Sequence, residues 1–190
     1  MTATRLVVGM ADCKVSNAFG DVLITYALGS CIGLAMYDPV SCAGGLLHFM
    51  LPDSSLDAAR AGENPYRYAD PGVPALLREL SKRGAERRRL RIAVAGAAEI
   101  LDRGEFFNIG KRNRAALHRM LWKEGLLIAA EATGGTSPRT LGLEIGSGRF
   151  FLREASEPER EMLACRSSRM LGAGSVSAPN RAGSVSAQKG

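Results

Sequence analysis

Apolar residues in the first third of the chain fall in short runs, not at helical spacing. Leu6 to Val15 is a short apolar stretch that stops at Asn17 to Gly20, which predicts an opening strand and turn. Val22 to Ala27 and Cys31 to Tyr37 are rich in apolar and β-branched residues and predict two strands around the Leu28-Gly29-Ser30 break. Asp38-Pro39 starts a turn, and Gly45 to Leu51 predicts a further strand closed by Pro52.

The middle of the chain changes period. Residues 54–71 are polar and irregular and predict a long surface loop. Val73, Leu76, Leu77 and Leu80 then recur on one helical face, with Gly84 as the stop. Leu90 to Ala95 alternates like a strand, and Asn108 is placed to cap a second helix carrying Leu117, Met120 and Leu121 before Gly125. Leu126 to Ala132 reads as a strand, and Leu141 to Ile145 with Arg149 to Arg153 as a hairpin around Gly146-Ser147-Gly148. The order is mixed α/β of the α+β type: a layered sandwich of mixed sheet with two main packing helices.

Beyond about Glu154 the composition shifts. Ala173-Gly174-Ser175-Val176-Ser177-Ala178 returns as Ala182-Gly183-Ser184-Val185-Ser186-Ala187, a small-residue repeat that cannot bury a core. The expected organisation is therefore a folded domain over residues 1–154 and a basic, Ser/Gly/Ala-rich, disordered tail over 155–190.

Composition narrows the function class. With 190 residues, 46% hydrophobic and 23% charged, the chain suits one globular domain. Its apolar runs are far shorter than the roughly 20 residues of a membrane helix, and no signal-peptide layout opens it. A cytoplasmic protein without membrane insertion is expected. Net charge is +6, but residues 166–190 hold four basic residues and no acid, leaving +2 for the rest. The cluster Lys82-Arg83, Arg87-Arg88-Arg89 and Arg91 reads as a solvated helix end rather than a nucleic-acid patch, because Glu86 interrupts it and no RNA-binding aromatic motif lies nearby.

Four cysteines occur, Cys13, Cys31, Cys42 and Cys165, without a CxxC pair, and only His48 and His118 supply imidazoles. That spacing argues against a metal site. Cys31 and His48 suggest different chemistry. If the hairpin between them turns at Pro39-Val40, the two lie directly opposite, with Cβ atoms roughly 4.5–5.5 Å apart. An imidazolium at that range would stabilise the thiolate, which is the minimum for covalent catalysis.

Several ordered blocks then resemble one family. Val8-Gly9-Met10-Ala11-Asp12, Gly20 to Cys31, Tyr37-Asp38-Pro39, Gly44-Gly45 and His48-Phe49-Met50-Leu51-Pro52 are similar to the chemoreceptor glutamine deamidases, CheD. Tyr68-Ala69-Asp70, Asn108-Ile109-Gly110 with Arg112-Asn113, Gly134-Gly135 and Arg139 extend the resemblance across about residues 6–153. Two blocks depart from the family pattern. Val94-Ala95-Gly96-Ala97 stands in place of Phe-Gly-Gly-Ala, and Gly134-Gly135-Thr136-Ser137-Pro138-Arg139 in place of Gly-Gly-Asn-x-Gly-Arg.

The resemblance implies a CheD-like cysteine hydrolase fold and a Cys31, His48 and Thr25 catalytic group. Cys31 would be the nucleophile, His48 the general base and acid, and Thr25 the residue that orients the imidazole through its hydroxyl or its carbonyl. Backbone N–H groups near the Gly29-Ser30-Cys31 turn are the oxyanion candidates, with Gly29 and Ser30 singled out. No metal or organic cofactor is required. The implied substrates are glutamines on the cytoplasmic helices of methyl-accepting chemotaxis receptors. The alternative is a regulatory binding module that associates with a CheC-type phosphatase. A redox-sensing role is disfavoured by the lack of a spaced resolving cysteine.

Overall fold

The computed structural model describes residues 4–56, 58–99, 108–155 and 157–164. Among these described residues, ten strands form two five-stranded sheets. In chain order they are β1 (Thr4–Val7), β2 (Asp12–Ser16), β3 (Asp21–Leu28), β4 (Ile32–Asp38), β5 (Ala43–Phe49), β6 (Arg91–Gly96), β7 (Ala130–Thr133), β8 (Arg139–Glu144), β9 (Arg149–Glu154) and β10 (Arg160–Ala164). Helices α1 (Ala58–Glu63), α2 (Ala69–Ser81) and α3 (Ile109–Lys123) lie between them in sequence. One sheet runs β1-β3-β8-β9-β10 and the other β2-β5-β4-β6-β7.

The second sheet is the middle layer. Every residue of β4 and β5 is buried, so both faces must be covered. Alternation along β4 divides the two cores. Ile32, Leu34 and Met36 join Leu47 and Phe49 of β5 against Val73, Leu76 and Leu80 of α2 and Leu117 and Leu121 of α3. Ala35 and Tyr37 join Leu46, Leu23, Leu141 and Phe150 between the sheets. Tyr37 fastens the sheets by donating its hydroxyl to the Ile145 carbonyl at 3.0 Å. Adjacent Gly44 and Gly45 let the neighbouring layers close in. A Cβ on Gly44 would come within 2.5 Å of Ile145, and one on Gly45 equally close to Leu76.

The expected layered α/β sandwich with two packing helices is present, with three differences. The opening apolar stretch is two strands in different sheets, because the chain crosses from one sheet to the other through Gly9–Ala11. Helix α2 starts at Ala69, so the stretch read as loop already contains short helical turns and the α2 N-terminus; Asp70 there accepts hydrogen bonds from Ser54 N and Oγ. Asn108 does precede α3, but its side chain makes no capping bond. Beyond Glu154, β10 adds an antiparallel edge strand against β9. Most of the proposed tail, residues 165–190, lies outside the described residues.

Five members of the basic cluster are paired locally. Glu79 pairs with Lys82 and Arg83, Glu124 with Arg87, Glu86 with Arg88, and the wholly buried Asp38 with Arg89. The Arg89 guanidinium and two backbone N–H groups hold the Asp38 carboxyl below its ordinary range despite the opposing effect of burial. Among the described residues no helix is long and apolar enough to cross a membrane.

Candidate active site

The ends of β3, β5 and β6 and the start of β4 meet at one end of the sandwich. Thr25 lies in β3 just before a bulge, where the pairing with β8 slips between Thr25 and Leu28. Tyr26 and Ala27 are pushed outward, Ala27 with a φ of +54°, while Thr25 and Leu28 stay buried. Alternation along β3 puts Thr25 on the same inter-sheet face as Leu23, and the bulge brings Leu28 in beside them.

His48, in β5, is 2% exposed and faces the same space. Its Nδ1 is 2.8 Å from Thr25 Oγ1. Its Nε2 is buried and has no hydrogen-bond partner among the described residues. Across the ladder His48 stands opposite Gly33 on one side and Asp12 on the other. Gly33 has no side chain to fill the flank; a Cβ there would lie 2.8 Å from Leu28 and 3.3 Å from Thr25. Burial pushes the His48 imidazole down to about 4, against a smaller opposing effect of the Asp12 carboxylate.

Cys31 is half-buried on the turn that enters β4. All three carbonyls of this turn are anchored. Ala98 N donates to the Gly29 carbonyl at 2.8 Å, Asn113 Nδ2 to that of Ser30 at 3.0 Å, and Ala97 N to that of Cys31 at 2.8 Å. Burial raises the Cys31 thiol above its ordinary range, and the residue's own backbone N–H, turned toward the sulfur, lowers it less strongly.

The structure therefore joins Thr25 to His48 and corrects the expected hairpin register. The β4–β5 turn takes four residues, Pro39 to Cys42, and the ladder pairs Gly33 with His48. The ladder begins at Ile32, so Cys31 lies just outside it, two residues from the direct partner of His48. A shift of two keeps the same face but replaces direct opposition by a diagonal relation. The expected thiolate–imidazolium pair is also revised, because burial favours the neutral form of both groups.

Three supporting residues were not singled out from sequence. Asn113 is fully buried and donates to Met50 O at 2.8 Å as well as to Ser30 O, tying the Cys31 turn to the end of the His48 strand. Gly96 carries a φ of +113°, and a Cβ there would come within 2.2 Å of the Cys31 carbonyl. Arg139, 8% exposed, donates to the Gly96 and Gly134 carbonyls and pairs with Glu154. Asn113 and Arg139 stood in the resemblance blocks. Nothing local in sequence marks where their donors go. Among the described residues no group of three or more His, Cys, Asp or Glu could hold a metal ion.

A family model described as "CheD chemotactic sensory transduction" matches residues 50–154, a segment that begins just after His48. Longer similarity comes from relatives named "Probable chemoreceptor glutamine deamidase CheD". One from Solibacter usitatus is 56% identical over 150 residues, covering 79% of this chain and 89% of that protein. A second, from Syntrophus aciditrophicus and numbered CheD 1, is 46% identical over 157 residues, covering 83% and 98%. An archaeal relative from Pyrococcus horikoshii is 40% identical over 154 residues, covering 79% and 92%. With a family model matching over half its length and relatives matched over nearly theirs, the chain belongs to the CheD family.

Proposed function

We propose that this protein is a cysteine-dependent protein-glutamine deamidase that acts on the cytoplasmic helices of methyl-accepting chemotaxis receptors. The observation that carries the reading is the buried Thr25–His48 hydrogen bond, which leaves Nε2 unpartnered beside a half-exposed cysteine turn. The names of the relatives supply the substrate class.

The chemistry follows from the tautomer. With its proton on Nδ1 donated to Thr25 Oγ1, the imidazole presents a lone pair at Nε2. Nε2 takes the Cys31 thiol proton as the sulfur forms a bond to the glutamine side-chain carbonyl carbon, and the carbonyl π pair moves onto oxygen. The tetrahedral intermediate collapses, the C–N bond breaks, and the imidazolium returns the proton to the departing ammonia. Water then adds to the thioester with His48 as base, the C–S bond breaks, and the thiol is regenerated. The balance is amide plus water giving carboxylate plus ammonium. No step needs a metal or organic cofactor.

Neutral resting partners suit this scheme. Proton transfer and sulfur attack occur together when substrate arrives, so the imidazolium exists only transiently. Incubation with a receptor cytoplasmic fragment and peptide mass mapping tests the reading. Wild type should convert specific glutamines to glutamate and Cys31→Ala should not. Conversion by Cys31→Ala at the wild-type rate sinks it. Cellular function retained by Cys31→Ala and His48→Ala would favour the regulatory module that associates with a CheC-type phosphatase.

A further inference from the structure

The buried Asn113 makes two hydrogen bonds and leaves its own Oδ1 without a partner. A wholly buried amide with an unpaired acceptor costs stability, so its donors must secure something in return. Both donors go to main-chain carbonyls far away in sequence, Ser30 before the cysteine and Met50 two residues past the histidine. Helix α3 is seated closely enough to reach them because Gly110 lies against Ala97; a Cβ there would be 2.7 Å from the Ala97 carbonyl.

Peptide planarity turns this anchor into a direction. In a trans peptide the carbonyl of one residue and the N–H of the next point opposite ways. Holding the Ser30 carbonyl toward α3 sends the Cys31 N–H away from α3, toward the thiol. The same logic applies one peptide earlier, where Ala98 holds the Gly29 carbonyl and so turns the Ser30 N–H. That N–H makes no hydrogen bond among the described residues.

We propose that the Cys31 N–H is the principal oxyanion donor of this active site and that Asn113 is the positioning residue that aims it. The inference rests on the deamidase reading and extends it. As the C–S bond forms, negative charge collects on the former amide oxygen beside the sulfur. A donor already aimed there stabilises it without reorganisation. Asn113 does not touch substrate; it acts through the Ser30–Cys31 peptide. Its second bond, to Met50, holds the His48 strand in register with that donor.

The test uses the full chain, with Asn113→Ser and Asn113→Asp, which remove the paired donors with and without loss of volume. Losing an oxyanion donor costs ~100-fold or more in kcat, so misaiming one should cost at least ~10-fold with KM little changed. Alkylation of Cys31 by iodoacetamide forms no oxyanion, so its rate should fall far less than kcat. An unchanged kcat, or an alkylation rate that falls in step with kcat, overturns the proposal. Wild type that converts no glutamine would instead sink the deamidase reading. A measurement on wild type covers variants that fail to fold. A peptide bearing an aldehyde in place of the glutamine amide should form a hemithioacetal on Cys31 and move the Cys31 amide proton downfield. Formation of the adduct with that proton unmoved overturns the proposal.

Discussion

Thr25 Oγ1 and His48 Nδ1 stand 2.8 Å apart, bridging the two sheets at the end where a β-bulge follows Thr25 in β3. The hydroxyl, not the threonine carbonyl, is the group in contact with the ring. In the proposed mechanism that hydroxyl accepts from Nδ1 and keeps the imidazole proton there, leaving Nε2 as the base.

Thr25→Val preserves shape and removes that acceptor. The buried Nδ1–H then lacks an acceptor, so neither the tautomer nor the ring orientation that presents Nε2 as the base is held. We expect kcat to fall ~10–100-fold, no more than the low end of what a general base contributes because the imidazole itself remains, with Thr25→Ser restoring most of it. Steady-state kinetics on a receptor fragment check this. A Thr25→Val enzyme with wild-type kcat would leave the hydroxyl without a role.

The depressed His48 pKa carries a stability consequence with a definite sign. The folded value is about 4 and the ordinary one is 6.5, so between them the unfolded chain binds the extra proton. Stability is therefore full above about pH 6.5 and declines as pH falls toward 4, by roughly 2–4 kcal/mol. Urea melts at pH 7 and pH 4.5 should show that loss in wild type and less of it in His48→Gln. An equal loss in both would show that His48 is not its source.

The same shifts shape the rate profile. Burial holds His48 neutral to low pH and Cys31 as a thiol to high pH. Because the step needs the neutral base and the intact thiol, kcat/KM should be flat across a broad neutral range and fall only on its outer flanks. A narrow bell centred near pH 6.5 would instead indicate a preformed ion pair.

Much of this architecture could be read in advance because it rests on local signals. The apolar runs of β3 and β4, the apolar stripe of α2 and the Gly125 stop of α3 each carry a period or a turn residue. The hairpin register could not be read, because the β4–β5 turn uses Cys42 at a φ of +54°, a conformation its side chain does not advertise. The crossing of β1 and β2 into separate sheets was hidden for a related reason: both are short and of mixed polarity, and only long-range pairing distinguishes them. Thr25, Cys31 and His48 were visible through their resemblance blocks. Asn113 acts on residues 83 and 63 positions away, a relation that exists only after folding.

Thiol labelling should rank the described cysteines. Cys13 is pushed up to about 12, chiefly by burial, and Cys42 is 1% exposed with its sulfur on the Pro39 carbonyl. Cys31 is more accessible and has His48 nearby in the fold. Iodoacetamide at pH 8 with peptide mapping should therefore mark Cys31 first, at a rate below that of a free cysteine because its pKa is also raised. His48→Ala should slow it further. Labelling of Cys13 ahead of Cys31 would contradict the assignment of the nucleophile.

Gly96 separates backbone strain from damage to the site. Its φ of +113° disfavours any side chain, and an added Cβ would meet the Cys31 carbonyl at 2.2 Å, a backbone atom that cannot swing aside. Gly125, at +66° after α3, shares the positive φ but has open space around it. Gly125→Ala should therefore cost about 1 kcal/mol from conformation alone and leave kcat unchanged. Gly96→Ala should cost about 2–4 kcal/mol and lower kcat well beyond the loss of folded protein. The added methyl displaces the Cys31 carbonyl from Ala97 N, and the peptide carrying the thiol must rotate with it. Denaturant melts and kcat per folded enzyme, measured on both variants, distinguish the two effects. If Gly96→Ala retains wild-type kcat once folding is accounted for, the anchoring of the Cys31 turn against β6 does not govern the chemistry.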